Sequence, residues 1–203
     1  MKFPYPMLRD FVETSLSAEE VGDLLTMAGF ELEDMQQVEG DSVFDVKVMS
    51  NRGDGLSVFG LAREVLAKNA GARPTGLYRE IYDLRFTIYE GGQAGQHSPS
   101  DIQHSISERA SVDIQTEDCP RYACRLFEGV QNGGSPEWIQ KRLRQSGMRP
   151  ISLLVDLTNY VLLELGQPLH AFDCELLKGG KIIVRKARTS EKLTTLDGIE
   201  HEL

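Results

Sequence analysis

The stretch Gly91-Gly92-Gln93-Ala94-Gly95-Gln96-His97-Ser98-Pro99-Ser100-Asp101 contains no apolar side chain larger than alanine. Glycines, one proline and small polar residues have nothing to bury and a high entropic cost of ordering, so the stretch reads as a linker. Any fold of this chain is then assembled from two parts, one on each side. This places an N-terminal module at residues 1–90, a linker at 91–106 and a second domain at 107–203. A chain of 203 residues suits two small domains. No internal repeat is visible.

Charge divides in the same way. Residues 1–50 carry 3 Lys/Arg and 11 Asp/Glu, a net of −8, whereas residues 121–188 carry 11 Lys/Arg and 6 Asp/Glu, a net of +5. Such asymmetry suggests two surfaces with different partners, the alternative being an uneven scatter of solvated charges. The overall charge of −9 argues against non-specific nucleic-acid binding by the whole surface. No stretch approaches the roughly 20 apolar residues of a membrane span, and Met1–Pro6 lacks the apolar core of a signal peptide. The three cysteines, Cys119, Cys124 and Cys174, match neither a disulfide framework nor a metal knuckle and read as small core residues. A cytoplasmic protein is the expectation.

Local signals give an α+β chain: a small helical and stranded N-terminal module, then a mixed α/β domain. Ser17-Ala18-Glu19-Glu20 is a capping box, followed by Val21, Leu24, Leu25 and Ala28 on one helical face and Gly29 as a left-handed stop. Val43–Val48 reads as a strand. A second helix spans about Ser57–Asn69, with Val58, Leu61, Ala62, Val65 and Leu66 as its buried stripe. In the second half, Ala110–Gln115 and Arg121–Val130 read as strands. Ser135-Pro136-Glu137 reads as an N-cap serine followed by a helix to about Ser146, and another helix covers Leu153–Leu165. Lys181–Ala187, Lys192–Leu196 and Ile199–Leu203 read as strands, with Asp197-Gly198 as a hairpin signal. A chain stopping in or just after a hairpin strand suggests further sequence beyond Leu203.

Few residues offer chemistry by type alone. His97 and His104 fall in or beside the linker, and His201 on the last strand. His170 follows a helix end and a proline in an irregular segment, where it serves either as a donor or acceptor at neutral pH or as a capping or buried, hydrogen-bonded histidine. Thr158 and Asn159 interrupt a helix rich in Leu and Val; they line a polar pocket or bond a neighbouring loop. Arg52-Gly53-Asp54 is a chance tripeptide, and Gly129–Gly134 lacks the spacing and lysine of a phosphate loop. No metal site is expected.

Longer blocks say more. Cys119-Pro120-Arg121-Tyr122-Ala123 is followed by Arg149-Pro150-Ile151-Ser152 and Val155-Asp156-Leu157-Thr158-Asn159-Tyr160-Val161. Then come Glu164-Leu165-Gly166-Gln167-Pro168-Leu169-His170-Ala171-Phe172-Asp173 and Lys192–Gly198. Together with Ser17–Phe30 and the Asn51–Glu64 block, these resemble the β subunit of bacterial phenylalanyl-tRNA synthetase over nearly the whole chain. The family usually has proline and cysteine where this chain has Gly53 and Gly55. The oligonucleotide-binding barrel common after the first helical segment is expected to be absent, because Gln36–Asp41 passes straight to the strand at Val43.

The resemblance implies a scaffold module and the first part of an editing domain that hydrolyses tyrosine mistakenly joined to tRNA(Phe). By motif, the editing-pocket positions are Thr158, Asn159 and His170. A polar pocket built for a tyrosyl hydroxyl rejects phenylalanine strongly, because the apolar analogue leaves its groups unpaired. Lys141, Arg142 and Arg144, with Arg185, Lys186 and Arg188, are candidate contacts to the tRNA acceptor end, the alternative being a solvated cationic face. The resemblance also implies the α subunit as partner and ATP with magnesium for the complete enzyme, with no cofactor in this segment. A free-standing hydrolase of mischarged tRNA, or a non-catalytic module binding tRNA or a partner, are the alternatives.

Overall fold

The computed structural model describes residues 1–89, 110–195 and 198–203. The expected linker at 91–106, with His97 and His104, lies outside the described residues, as does Asp197 of the expected hairpin turn. The chain is a mixed α+β protein made of two units. Described residues 1–89 form the first together with Gln131–Ala171, and residues 110–130 form the second together with Phe172–Leu203. The partition is therefore not the linear one read from the sequence: the segment after Val130 packs with the N-terminal residues.

The first unit begins with β1 (Lys2–Pro4), α1 (Tyr5–Arg9), β2 (Val12–Glu13) and α2 (Ala18–Met27). β3 (Glu31–Val38), β4 (Asp41–Lys47) and a 3-10 turn at Gly53–Gly55 follow. Then come α3 (Val58–Lys68), β5 (Arg73–Pro74) and α4 (Gly76–Tyr89). The capping box is present: Ser17 accepts the Glu20 amide at 3.2 Å and Glu20 accepts the Ser17 amide at 2.7 Å. β4 lies between β1 and β3, antiparallel to both. Val38 pairs with Asp41 across Glu39 and Gly40, whose φ values of 50° and 86° make a two-residue turn suited to strand twist. β3 is absent from the sequence reading because its Glu-Leu-Glu-Asp-Met-Gln-Gln-Val run is half-exposed and alternates poorly.

Five fully buried phenylalanines, Phe3, Phe11, Phe30, Phe44 and Phe59, dominate the core. Phe3 meets Phe44 edge-on at 5.3 Å and Phe11 meets Phe59 edge-on at 5.5 Å, the geometry that ring quadrupoles favour. Burying each ring contributes about 1.5–3 kcal/mol. α4 was not read from the sequence. Thr75 caps it by accepting the Tyr78 amide at 3.2 Å, and Tyr78 stacks on Phe59 at 4.9 Å.

Two further helices complete this unit: α5 (Glu137–Gln145) and α6 (Leu153–Leu165). Ile139 and Leu143 of α5, with Tyr160 and Leu163 of α6, are buried in the same cluster as the phenylalanines. Polar contacts fix the docking angle. Lys141 reaches Asp41 at 2.6 Å, Arg144 holds Glu39 with two bonds of 2.9 Å, and Gln145 donates to Val38 O at 2.8 Å and Asp41 at 2.9 Å. Arg142 donates to Asp10 at the end of α1 and to the Tyr160 hydroxyl. The basic segment thus neutralises acids of the N-terminal module, which corrects the expectation that the two charges face different partners.

The second unit consists of short pieces. β6 (Ser111–Ile114) pairs parallel with β7 (Lys181–Val184), and β8 (Lys192–Thr194) pairs antiparallel with β9 (Glu200–Glu202). Among the described residues, the expected strand Arg121–Val130 belongs to no ladder. The three cysteines, expected in a core, are half-buried free thiols, and burial raises the Cys124 thiol above its ordinary value.

Gly60 is the tightest point of the first unit. A Cβ there would lie 1.7 Å from the Asp54 carbonyl oxygen, in a loop held by Arg52, which bonds Asp54 and Glu64 and lies 4.4 Å over the Phe30 ring. Backbone so pinned cannot give way. Gly60→Ala is expected to lower stability by about 3 kcal/mol in urea unfolding. Gly53→Ala, whose Cβ meets nothing within 4 Å, should stay within about 1 kcal/mol of the parent.

Candidate functional site

α6 carries two of the three expected pocket residues, and its start is held with care. Asp156 is buried, 1% exposed, and accepts the Ile151 amide at 2.8 Å and the Ser135 hydroxyl. Ser135 was read as the N-cap of α5. The structure puts Pro136 in that position and gives the serine hydroxyl to Asp156 instead. The first amides of α6 find acceptors outside the helix: Leu153 N donates to Gly133 O at 2.8 Å and Leu154 N to Asn132 Oδ1 at 3.3 Å. A helix end needs such partners, and here the loop before α5 supplies them. Asp156 was missed in the sequence because a carboxylate in a first helical turn reads as an exposed dipole partner.

Thr158 and Asn159 sit one turn further along, both half-buried. The Thr158 hydroxyl donates to Val155 O of its own helix at 2.8 Å, leaving its lone pairs as acceptors. Being consecutive on a helix, the two side chains point about 100° apart. α6 stops at Gly166, which takes φ of 72°. His170 follows four residues later in an irregular segment and is exposed, so it is not the buried histidine the sequence allowed. One shallow groove of about 170 Å³ in this unit is lined by residues including Lys2, Asp34, Asp45 and Gln145, and by none of these three.

The cations are placed unequally. Lys141, Arg142 and Arg144 are the three that hold α5 to the N-terminal module. In the second unit, Arg185 binds Glu191 through two bonds of 2.7 and 2.6 Å, which hold the Glu191 carboxyl down at about 2. Lys186 reaches Asp118 at 2.7 Å with both side chains well exposed. Arg188 is exposed and makes no ion pair among the described residues. Also among the described residues, no group of three or more His, Cys, Asp or Glu is arranged to hold a metal ion, and no helix is long and apolar enough to cross a membrane.

Beside the site, Tyr160 and Glu164 share a half-dry patch with Arg142 and Asp10. Burial, then the Glu164 charge, pushes the Tyr160 hydroxyl up to about 12. Burial first, and the Asp10 charge second, raise the Glu164 carboxyl, while Arg142 and the Tyr160 hydroxyl oppose them. A carboxyl raised in the folded state lends stability while protonated and loses it as pH rises through the raised value. Glu164→Gln should therefore be more stable than the parent near neutral pH. That advantage should fade on acidification as the pH falls from the raised value to the ordinary glutamate range; parallel urea midpoints across pH 4 to 7 would contradict this.

The family described as the B3/4 domain matches residues 118–203. Phenylalanine–tRNA ligase β subunits are similar over more of the chain. The one from Oleidesulfovibrio alaskensis is 40% identical over 197 residues, covering 94% of this chain and 22% of the relative. That of Geobacter metallireducens is 44% identical over 164 residues, 80% of this chain and 18% of the relative. That of Rhodopirellula baltica is 36% identical over 203 residues, 100% of this chain and 27% of the relative. The chain spans roughly a quarter or less of the length of these curated relatives. It is related, along nearly all of its length, to a segment of the phenylalanine–tRNA ligase β subunits, components of an aminoacyl-tRNA synthetase.

Proposed function

We propose that the chain serves as a segment of a phenylalanine–tRNA ligase β subunit, supporting the charging of tRNA(Phe) and the hydrolysis of mischarged Tyr-tRNA(Phe). The observation carrying this reading is that Thr158, Asn159 and His170 all fall inside the matched B3/4 residues. On this reading Thr158 and Asn159 offer acceptor and amide groups to the tyrosyl moiety or the terminal ribose. His170 holds the attacking water, a proton-positioning role worth roughly 10²–10⁴-fold. The partners are tRNA(Phe) and the α subunit, and the compartment is the cytoplasm. ATP and magnesium belong to the charging reaction of the complete enzyme; the described residues offer no group of three or more His, Cys, Asp or Glu for the metal.

A second reading has its own support. None of the three residues lines the groove of about 170 Å³ described above, and the Thr158 hydroxyl is turned back on its helix. That arrangement suits a module that binds tRNA or a partner without catalysis. A free-standing hydrolase acting in trans is the third possibility.

Deacylation of Tyr-tRNA(Phe) separates them. The chain alone is expected to match buffer, and a β subunit carrying it in place of the homologous segment to hydrolyse the substrate. His170→Ala in that chimera should lower the rate about 100-fold; an unchanged rate overturns the role given to His170. Hydrolysis by the chain alone establishes the free-standing reading. For tRNA binding, Arg188→Ala should reduce the slope of log affinity against log salt by about 1. Arg144→Ala should leave that slope unchanged, since Glu39 already occupies its guanidinium.

A further inference from the structure

Trp138, the one tryptophan of the chain, stands on α5 with 54% of its surface exposed. It is held in place all the same. The buried Tyr160 ring meets it edge-on at 5.4 Å, and the Arg142 guanidinium lies 5.5 Å from its centroid. Arg142 is itself bonded to Asp10 and to the Tyr160 hydroxyl, so it cannot swing away from the indole. A side chain ordered in advance loses little entropy on binding. Tryptophan, tyrosine and arginine are also the residue types that carry most of the energy at protein interfaces.

Charge around this indole is unbalanced. Arg142 answers Asp10, while Arg144 answers both Glu39 and Glu137, the neighbour of Trp138. Glu164, one turn beyond Tyr160 on α6, bonds the Tyr160 hydroxyl and makes no ion pair among the described residues. Two guanidinium groups therefore face four carboxylates, Asp10, Glu39, Glu137 and Glu164. A surplus of negative charge repels phosphate and attracts a cation. Burial and the Asp10 charge raise the Glu164 carboxyl, and a cation laid beside it offsets that charge.

The chain uses the matching chemistry elsewhere. Arg52 lies 4.4 Å over the Phe30 ring, held by two bonds to Asp54 and one to Glu64. A guanidinium stacks on an aromatic face and pairs with carboxylates in its own plane, which a compact ammonium does not do. Trp138 with Glu137 and Glu164 offers the same set at the surface, and an indole is the strongest of the aromatic partners for a cation.

We infer that this patch of α5 and α6 is an interaction surface for an arginine of a partner protein, its guanidinium laid on the Trp138 indole and paired with Glu164. None of Thr158, Asn159 and His170 takes part, so the inference stands whether or not those residues edit.

Trp138 is its own reporter. Acetyl-arginine amide added to the chain should shift the tryptophan emission saturably, and the uncharged isostere acetyl-citrulline amide should not. Glu164→Gln, expected above to be the more stable protein, should weaken binding about 5-fold, the worth of one ion pair of about 1 kcal/mol. Asp23→Asn, which alters an exposed carboxylate of α2 outside this cluster, should leave it unchanged. Of the groups packed here, Arg142 and Tyr160 keep their protons near neutral pH, and Asp10 and Glu137 titrate with Glu164. Affinity should therefore rise with pH, and the part of that rise above the ordinary glutamate range should vanish in Glu164→Gln. An equal response to the citrulline and arginine derivatives overturns the proposal, as does equal weakening by Asp23→Asn and Glu164→Gln. An emission shift that follows protein concentration, reporting a second copy, or one produced by tRNA(Phe) and not by the arginine derivative, overturns it too.

Discussion

Ile139, Leu143, Tyr160 and Leu163 reach back across more than a hundred residues to close a core built around five phenylalanines. The rest of the first unit follows from that burial. Apolar contact supplies the driving force but little direction, and the polar contacts supply direction. Arg142 ties the end of α1 to Tyr160, while Gln145 reads the turn between β3 and β4 through a backbone carbonyl and a carboxylate. Each exposed ion pair contributes about 1 kcal/mol or less. Their joint effect is to permit one orientation of α5, in which its basic face meets the acidic turn.

The same contact explains the charge pattern. A net of −8 in the first fifty residues and +5 between 121 and 188 resembles two surfaces awaiting two partners. Much of it is one internal interface seen in two halves. Glu39, Asp41 and Asp10 answer Arg144, Lys141 and Arg142. Charge counted along a chain records how many cations there are, whereas availability depends on which carboxylates fold beside them.

For the candidate site, the sequence located the helix that carries Thr158 and Asn159, its stop at Gly166 and the irregular segment with His170. Each of these follows from short-range signals: an apolar helical run, a glycine in the left-handed region, a proline two residues later. What escaped was the device that positions the helix. Asp156 is a buried carboxylate fed by Ser135 and Ile151. Ser135 itself lies beside a proline in a pattern that serves equally well as an N-cap. The choice between capping α5 and bonding Asp156 is made by the approach of residues twenty-one positions apart, which no local pattern encodes.

The sequence by itself determined the α+β class, the capping box at Ser17, the spans of α2, α3, α5 and α6, and the hairpin at the chain's end. These depend on interactions between residues three or four apart, or on backbone angles that glycine alone takes easily. Tertiary structure decided that residues 131–171 join the N-terminal module, that β3 exists on a half-exposed edge, that α4 stacks on Phe59, and that Arg121–Phe127 joins no ladder among the described residues. Each of these turns on which distant group arrives to bury a face or accept a hydrogen bond. That outcome is settled by which distant side chains reach the core of the first unit.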